Sequence, residues 1–283
     1  MSLTFNEKSH RYRLDGQHVT GVTTILSGGI PKPALVHWAG KTVAEWVTNP
    51  ENLTDLQYLL AGDQETATKF LTGLPAKERD TAAERGTEVH DLAEQLAKTG
   101  EVDAPEELFG FIEGYLQFLE DWQITPVLTE VTLANREHWY SGKVNLLATS
   151  PLLMTQEDID AGRLIQIDLK TSKGVYMETA LQTAAYARAE FFIAEDGHET
   201  PMPEVIKNYV AHVTPMDREG VNERYEGKPL GTTLYQLAGS PSEIDNHFEM
   251  FLHAKAVHED AKARAKVDMV PMIPPVPAVK AAA

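Results

Sequence analysis

The chain of 283 residues contains no cysteine. That single absence excludes disulfides, zinc ribbons, iron–sulfur clusters and a cysteine nucleophile. No charge-free apolar run reaches about 18 residues, so nothing reads as a membrane span. The start, Met1-Ser2-Leu3-Thr4-Phe5-Asn6-Glu7, lacks the basic and apolar regions of a signal peptide, and a cytoplasmic protein is expected. Basic charge is scarce: 25 Lys+Arg stand against 42 Asp+Glu, a formal net charge of −17. Such acidity argues against coating nucleic acid through bulk charge, and leaves room for a local basic or metal-loaded site. A Gly-x-x-x-x-Gly-Lys-Ser/Thr loop is missing too, so no ATPase motor is encoded. What is present, 42% hydrophobic and 24% charged residues, suffices for a sizeable core.

Alternation over residues 5–26 around a turn at Asp15-Gly16 predicts a β-hairpin. Helical spacing covers Pro33–Val47, then Gln57–Leu71 with an end near Gly73 and Pro75. It resumes over Ala76–Lys98, with a stop at Gly100, and runs again from Asp103 to Trp122. Val127–Leu133, Trp139–Ala148 and Leu164–Lys170 read as successive strands, the first two joined by Ala134–His138. A helix is predicted over Glu178–Ile193 and strands over Val205–Val213 and Leu234–Leu237. Ser240-Pro241-Ser242-Glu243 is a capping box opening a helix to Lys266.

This order predicts an α/β fold, a central mixed sheet flanked by helices with a helical N-terminal elaboration. One domain would span 1–266: hairpin and first helices over 1–75, the core carrying the chemistry over 76–213, a closing strand and helix over 214–266. The Pro/Ala-rich tail over 267–283 is expected to be disordered.

Chemistry concentrates in the middle. Side chains alternate across a strand, so Ile165, Ile167 and Leu169 face one way and Gln166, Asp168 and Lys170 the other. A carboxylate and an ammonium are thereby presented side by side. Asp-x-Lys alone is too short to be specific, and a solvated strand face with a casual ion pair is its ordinary reading. Downstream, Gln182 and Tyr186 are four apart and share a helix face. Upstream, Gly86 sits within a helix, where glycine costs up to about 1 kcal/mol against alanine and marks a close approach to another element.

In order, Gly86…His90, Gly142…Asn145, Asp168-x-Lys170 and Gln182…Tyr186 resemble the motif series of the PD-(D/E)XK nuclease superfamily, in its RecB-like branch. The resemblance covers roughly Thr81 to Arg188. His10-x-Tyr12 and Val22-Thr23-Thr24-Ile25-Leu26 also look like the N-termini of phage-encoded members. It implies a restriction-endonuclease-like core and a Mg²⁺- or Mn²⁺-dependent deoxyribonuclease, foremost an exonuclease. Its partner would be DNA, single- or double-stranded, met at an end during phage or bacterial recombination, replication or repair. A homo-oligomer or a recombination or replication protein could accompany it, in the host cytoplasm if phage-encoded.

Residue by residue, the resemblance implies a metal held by Asp168, position 145, the Leu169 carbonyl and His90, with Glu130 a further candidate. Lys170 would orient the attacking water and stabilise charge on the phosphate. Gln182 and Tyr186 would hold the site and the DNA backbone. Arg85, Lys143, Lys173 and Arg188 are candidates for a phosphate track, Arg85 with the better claim because its helix carries His90.

One position departs from the pattern. Where the family has a metal-binding Asp, this chain has Asn145. Either the protein is a natural, degenerate member, or the Asp was changed deliberately to its isostere to disable it. The second is favoured because every other motif element is intact. The rival function is a DNA-end-binding or regulatory protein that keeps the fold and does not cut. A small-molecule-binding or structural α/β protein with coincidental motifs is a third.

Overall fold

A computed structural model describes residues 3–6, 11–216, 229–267 and 269–272. Asp15 and Gly16 both have positive φ, 50° and 79°, the backbone that a two-residue hairpin turn requires. They join strand β2 (Arg11–Leu14) to β3 (Gln17–Gly21), and β1 (Leu3–Asn6) pairs antiparallel on β2. His10 lies outside the described residues. The extended hairpin expected as far as Leu26 stops at Gly21, and Val22–Gly29 is helix α1. Val22, Ile25 and Leu26 have helical i, i+3, i+4 spacing, and all three are buried in one apolar cluster with Phe251 and Ala254.

Helix α2 (Pro33–Thr48), a 3-10 turn (Pro50–Asn52) and α3 (Leu53–Ala61) lead into α4 (Gln64–Thr99). The break expected near Gly73 and Pro75 does not occur: α4 is one helix of 36 residues with Pro75 inside it. Proline there removes one donor and costs about 3 kcal/mol. Packing offsets that cost: α2 touches α4 on both sides of the proline, Trp46 against Phe70 and Thr42 on Glu78, and α3, α5 (Glu106–Asp121) and strand β4 (Thr125–Asn135) also lie against it. Both ends are capped: Asp63 Oδ2 accepts from the Thr66 N–H at 2.9 Å, and Gly100, with φ 75°, closes the other end.

The remaining elements are β5 (Tyr140–Thr149), α6 (Gln156–Asp160), β6 (Leu164–Lys170), α7 (Glu178–Ala187), β7 (Phe191–Ile193), β8 (Glu199–Pro201), β9 (Val205–Thr214), β10 (Gly231–Ala238) and α8 (Pro241–Arg264). The helix expected to reach Ile193 ends at Ala187 instead. The Arg188 carbonyl is taken by Asn135 Nδ2 and by the Tyr140 hydroxyl, both at 3.0 Å. The Glu190 N–H already donates to Ala134 O, so the next residues join the sheet as β7. At α8 the capping box forms: Ser240 Oγ accepts from the Glu243 N–H and Glu243 Oε2 from the Gly239 N–H. Of the expected disordered tail, residues 268 and 273–283 lie outside the described residues, while Val267, Met269, Val270 and Met272 are exposed.

The ten strands form one curled mixed sheet, flanked by helices, which makes this an α/β protein. Its centre runs β4-β5-β6-β9-β10, antiparallel except for the parallel β6–β9 pair. On one face, Leu146, Ile165, Ile167 and Leu169 pack with Val89 and Ala93 of α4 and Phe111 and Tyr115 of α5. On the other, Val144, Leu147 and Leu164 pack with residues of α1, α7 and α8. Each fully buried aliphatic side chain contributes about 1.5–3 kcal/mol to holding these layers. Among the described residues no helix is long and apolar enough to cross a membrane.

One irregularity positions everything that follows. On the same edge of β5, β3 pairs only at Tyr140 and Ser141, and β6 only at Leu146, Leu147 and Ala148. Between those two partners, residues 142–145 of β5 lie at a fork in the sheet. These are the residues of the Gly-x-x-Asn motif.

Candidate active site at the forked strand

Alternation along β5 slips at the fork. Val144 packs towards α7 and α8, Leu146 towards α4 and α5, and Asn145 between them also reaches α4. Opposite it on β4, Glu130 has a left-handed backbone, φ 51°. That conformation is strained for a non-glycine residue and is characteristic of functional sites. The paired distortions bring three polar side chains together. Asn145 Nδ2 donates to Glu130 Oε1 at 2.7 Å and lies 3.2 Å from His90 Nδ1. Its Oδ1 accepts from the Leu169 N–H at 3.0 Å. The amide orientation is therefore fixed by its partners, NH₂ to two acceptors and oxygen to a donor.

Lys143 completes this group, its Nζ 2.9 Å from Glu130 Oε2. His90 Nδ1 is 3.7 Å from Glu130 Oε1; it accepts from the Asn145 amide while the imidazole is neutral and, once protonated, turns a donor and a charge towards Glu130. Burial pushes the Glu130 carboxyl up, but His90 and the charge and hydrogen bond of Lys143 outweigh it and hold the group below its ordinary value. Burial likewise pulls Lys143 down, and Glu130, with Glu94 and Asp91 further off, outweighs it and holds the ammonium above its ordinary value.

The second group lies on the α7 side. Asp168, only 2% exposed, has the Lys170 ammonium 2.8 Å from its Oδ2, and its Oδ1 accepts from Gln182 Nε2 at 3.1 Å. Gln182 Oε1 accepts from Lys170 at 3.3 Å, and its Nε2 also donates to the Tyr186 hydroxyl at 3.3 Å. One side chain thus reads all three neighbours. The polar face of β6 is no solvated surface, since α7 covers it. The Lys170 ammonium is the one partner of Asp168 Oδ2 among the described residues. Burial and the Asp168 charge push the Tyr186 hydroxyl far up, so it stays protonated.

Both motif glycines have a steric reason. A Cβ on Gly142 would fall inside the Tyr186 ring, and one on Gly86 would lie 3.3 Å from Thr171 Oγ1, where α4 presses on the residue after Lys170. Tyr186 can close on the fork only because Gly142 has no side chain, whereas at Gly86 an added Cβ would make a tight contact that a small shift of Thr171 relieves.

Of the residues singled out in the sequence, Asp168, Lys170, Gln182 and Tyr186 are brought together, and so are His90, Glu130, Asn145 and Lys143. The Leu169 amide joins the two groups. Among the described residues no three of His, Asp and Glu stand close enough to hold a metal ion, and the position that would complete such a set is Asn145. Arg85 is half-buried on α4, one residue before Gly86. Lys173 is 3.9 Å from Glu78. Arg188 is elsewhere: its guanidinium is bound to Asp245 Oδ1 at 2.6 Å and to the Pro241 carbonyl, clamping α7 to α8.

Two tyrosines escaped the sequence reading. Tyr115 lines the small pocket formed by His90, Glu130, Asn145 and Leu169. Tyr12 packs its ring on Gly21. Burial and the Glu130 charge raise both hydroxyls, Tyr12 to about 12. Tyr12 stood in the N-terminal His10-x-Tyr12 pattern, but nothing local showed that β2 would deliver it here.

No family model matches the chain, and no curated protein matches it.

Proposed function

We propose that the chain is a divalent-metal-dependent DNA nuclease on a PD-(D/E)XK core, foremost an exonuclease, held inactive by Asn145. One observation carries this reading. The Asn145 NH₂ group stands between Glu130 Oε1 and His90 Nδ1, a positive dipole end where two acceptors converge. An aspartate of the same shape would keep the Leu169 N–H bond and put an oxygen against Glu130 and His90. Two carboxylates at such range cannot both stay ionised without a proton or cation between them.

With aspartate at 145, the donor types fit a hard divalent cation: two carboxylates and an imidazole and, one residue from the Leu169 amide, the Asp168 carboxylate that Lys170 now holds. His90, Glu130, position 145 and Asp168 would hold Mg²⁺ or Mn²⁺, which supplies an activated water and polarises the phosphate. Lys170 would orient the attacking water and meet charge developing on the phosphate. Gln182 would hold both Lys170 and Asp168, and Tyr186 would brace Gln182. The substrate is DNA, in phage or bacterial recombination, replication or repair.

The test is Asn145→Asp assayed on single- and double-stranded DNA with Mg²⁺ or Mn²⁺. Gain of metal-dependent cleavage supports the reading. A folded Asn145→Asp protein that stays inert on both substrates overturns it. The same amide favours a second reading for the chain as it stands, a DNA-end-binding protein that does not cut, because Asn145 satisfies Glu130 and His90 without a metal. DNA binding indifferent to chelation, with no gain of cleavage in Asn145→Asp, is its signature.

A further inference from the structure

Residues 171–177 connect β6 to α7, and they are fixed at the backbone but apolar at the tip. Ser172 Oγ donates to Gly174 O at 2.8 Å, and the Ser172 carbonyl lies 2.7 Å from Nε2 of the buried His212. The first turn of α7 holds the other end: the Thr179 and Ala180 N–H groups donate to Tyr176 O and Met177 O at 3.0 and 3.1 Å. On this pinned backbone Tyr176 is 54% exposed and Met177 88%. Single exposed apolar residues are ordinary. Two together, six and seven residues beyond Lys170 on an immobilised connection, are presented to something.

Two cations stand near the start of the connection. Lys173 lies on it, 3.9 Å from Glu78, and Thr171 lies against Gly86 of α4, the residue after Arg85. Arg85 makes no hydrogen bond or ion pair among the described residues. In a chain of net charge −17, a half-buried arginine with no carboxylate partner among the described residues is ready for an outside anion.

We propose that Tyr176 and Met177 form a base-stacking tip that receives unpaired nucleobases of single-stranded DNA leading to the site, with Arg85, near the start of the connection, on a phosphate of the same strand. This rests on the nuclease reading and adds the substrate form. A ring and a polarisable thioether suit the π-face of any base. A duplex keeps those faces stacked on one another and cannot offer them. The tip therefore selects single strands or frayed ends without reading sequence.

The experiment replaces Tyr176 by Ala and by Phe, and Met177 by Ala, in the Asn145→Asp protein. Cleavage of a single-stranded oligonucleotide is compared with that of a blunt duplex and of bis(p-nitrophenyl) phosphate, which has no base. Tyr176→Ala is expected to lose about 10-fold in kcat/KM on the single strand, mostly through KM, while Tyr176→Phe keeps it and the base-free ester is unaffected. Equal losses on all three substrates, or none, overturn the tip although the nuclease reading stands. Where Asn145→Asp cleaves nothing, the nuclease reading has failed, and oligo(dT) binding by the Asn145 chain decides for the tip. Binding weakened by Tyr176→Ala and kept by Tyr176→Phe sustains it; unchanged binding, or no binding by any form, overturns it.

Discussion

The two sides of the forked strand carry similar residues and differ in how well they are satisfied. On the α4 side, both Asn145 polar atoms and both Glu130 oxygens have partners. On the α7 side, Asp168 Oδ2 has the Lys170 ammonium alone, and further along that face Gln166 and Asn208 leave all four side-chain polar atoms without a hydrogen bond among the described residues. The complete side is the one bearing the departure from the family pattern. An amide, being donor and acceptor at once, closes a network that a carboxylate would leave open. The incomplete side retains the lysine, the aspartate and the glutamine that orients both. On the proposed nuclease reading, inactivity would be a satisfied hydrogen-bond network and not a damaged one.

The strongest way to break the comparison is to reopen the α4 side. Asn145→Asp is expected to raise metal-dependent DNA cleavage at least about 100-fold, because the metal's charge environment sets the pKa of its bound water. Lys170→Ala in that background should remove most of the gain, as should chelation. Metal binding followed by calorimetry is expected in Asn145→Asp and much weaker in the Asn145 form, since a charged ligand is worth more than a neutral amide. A gain in cleavage that survives Lys170→Ala would show the α7 side to be idle.

Next in size is a change that damages only the α7 side. Gly142→Ala drives a methyl into the buried Tyr186 ring, and overpacking of this kind costs about 1–3 kcal/mol. Denaturant unfolding should show that loss. Pairing it with Tyr186→Leu, which makes room, should recover part of it. If Gly142→Ala proves neutral, Tyr186 is not packed as described and the steric reason for the motif glycine is wrong.

The motif order and both strand positions of the site were legible in the sequence because each motif is local: Asp168 and Lys170 share a strand face by alternation, and Gln182 and Tyr186 share a helix face by spacing. What was not legible depends on distant chain segments. Pro75 reads as a break because local propensity knows nothing of α2, α3 and α5 lying along the helix. Phe191–Ile193 continues an apolar helical pattern until Asn135 and Tyr140, some fifty residues earlier, take the Arg188 carbonyl. The slip that turns Asn145 towards His90 comes from a left-handed Glu130 on the neighbouring strand, and no pattern in the residues around either one announces it.

Titration probes the Glu130 side more gently. Glu130 is held below its ordinary value, so its contribution to stability is full above the unfolded carboxyl pKa, near 4.5, and is lost as pH falls through the lower folded value. Tyr12 is raised from 10.0 to about 12. Its contribution is full below pH 10 and is lost as pH climbs towards 12. Each group sets a slope of at most about 1.4 kcal/mol per pH unit within its own window. Thermal melts across pH should flatten at the acid end in Glu130→Gln and at the alkaline end in Tyr12→Phe. An unchanged acid limb in Glu130→Gln would detach Glu130 from Lys143 and His90.

The smallest effect tests the unsatisfied side directly. Gln166 and Asn208 are cross-strand neighbours on β6 and β9, both fully buried, on the face that carries Asp168 two residues on. A buried amide without partners costs about 1–3 kcal/mol. Removing one of the two spares its own cost, so Gln166→Met or Asn208→Leu alone should each give about half of the double variant's gain. Replacing both removes two stranded amides and adds apolar contact, and the double variant should be more stable by about 1 kcal/mol. The informative quantity is the coupling in the double-mutant cycle. Independent amides give near-additive gains. Amides joined to each other, or through a buried water, make each single change costly because it orphans the remaining partner. Loss of stability in both single variants would therefore show that this face is as fully satisfied as the α4 side, and the contrast between the two sides would reduce to Asn145 alone.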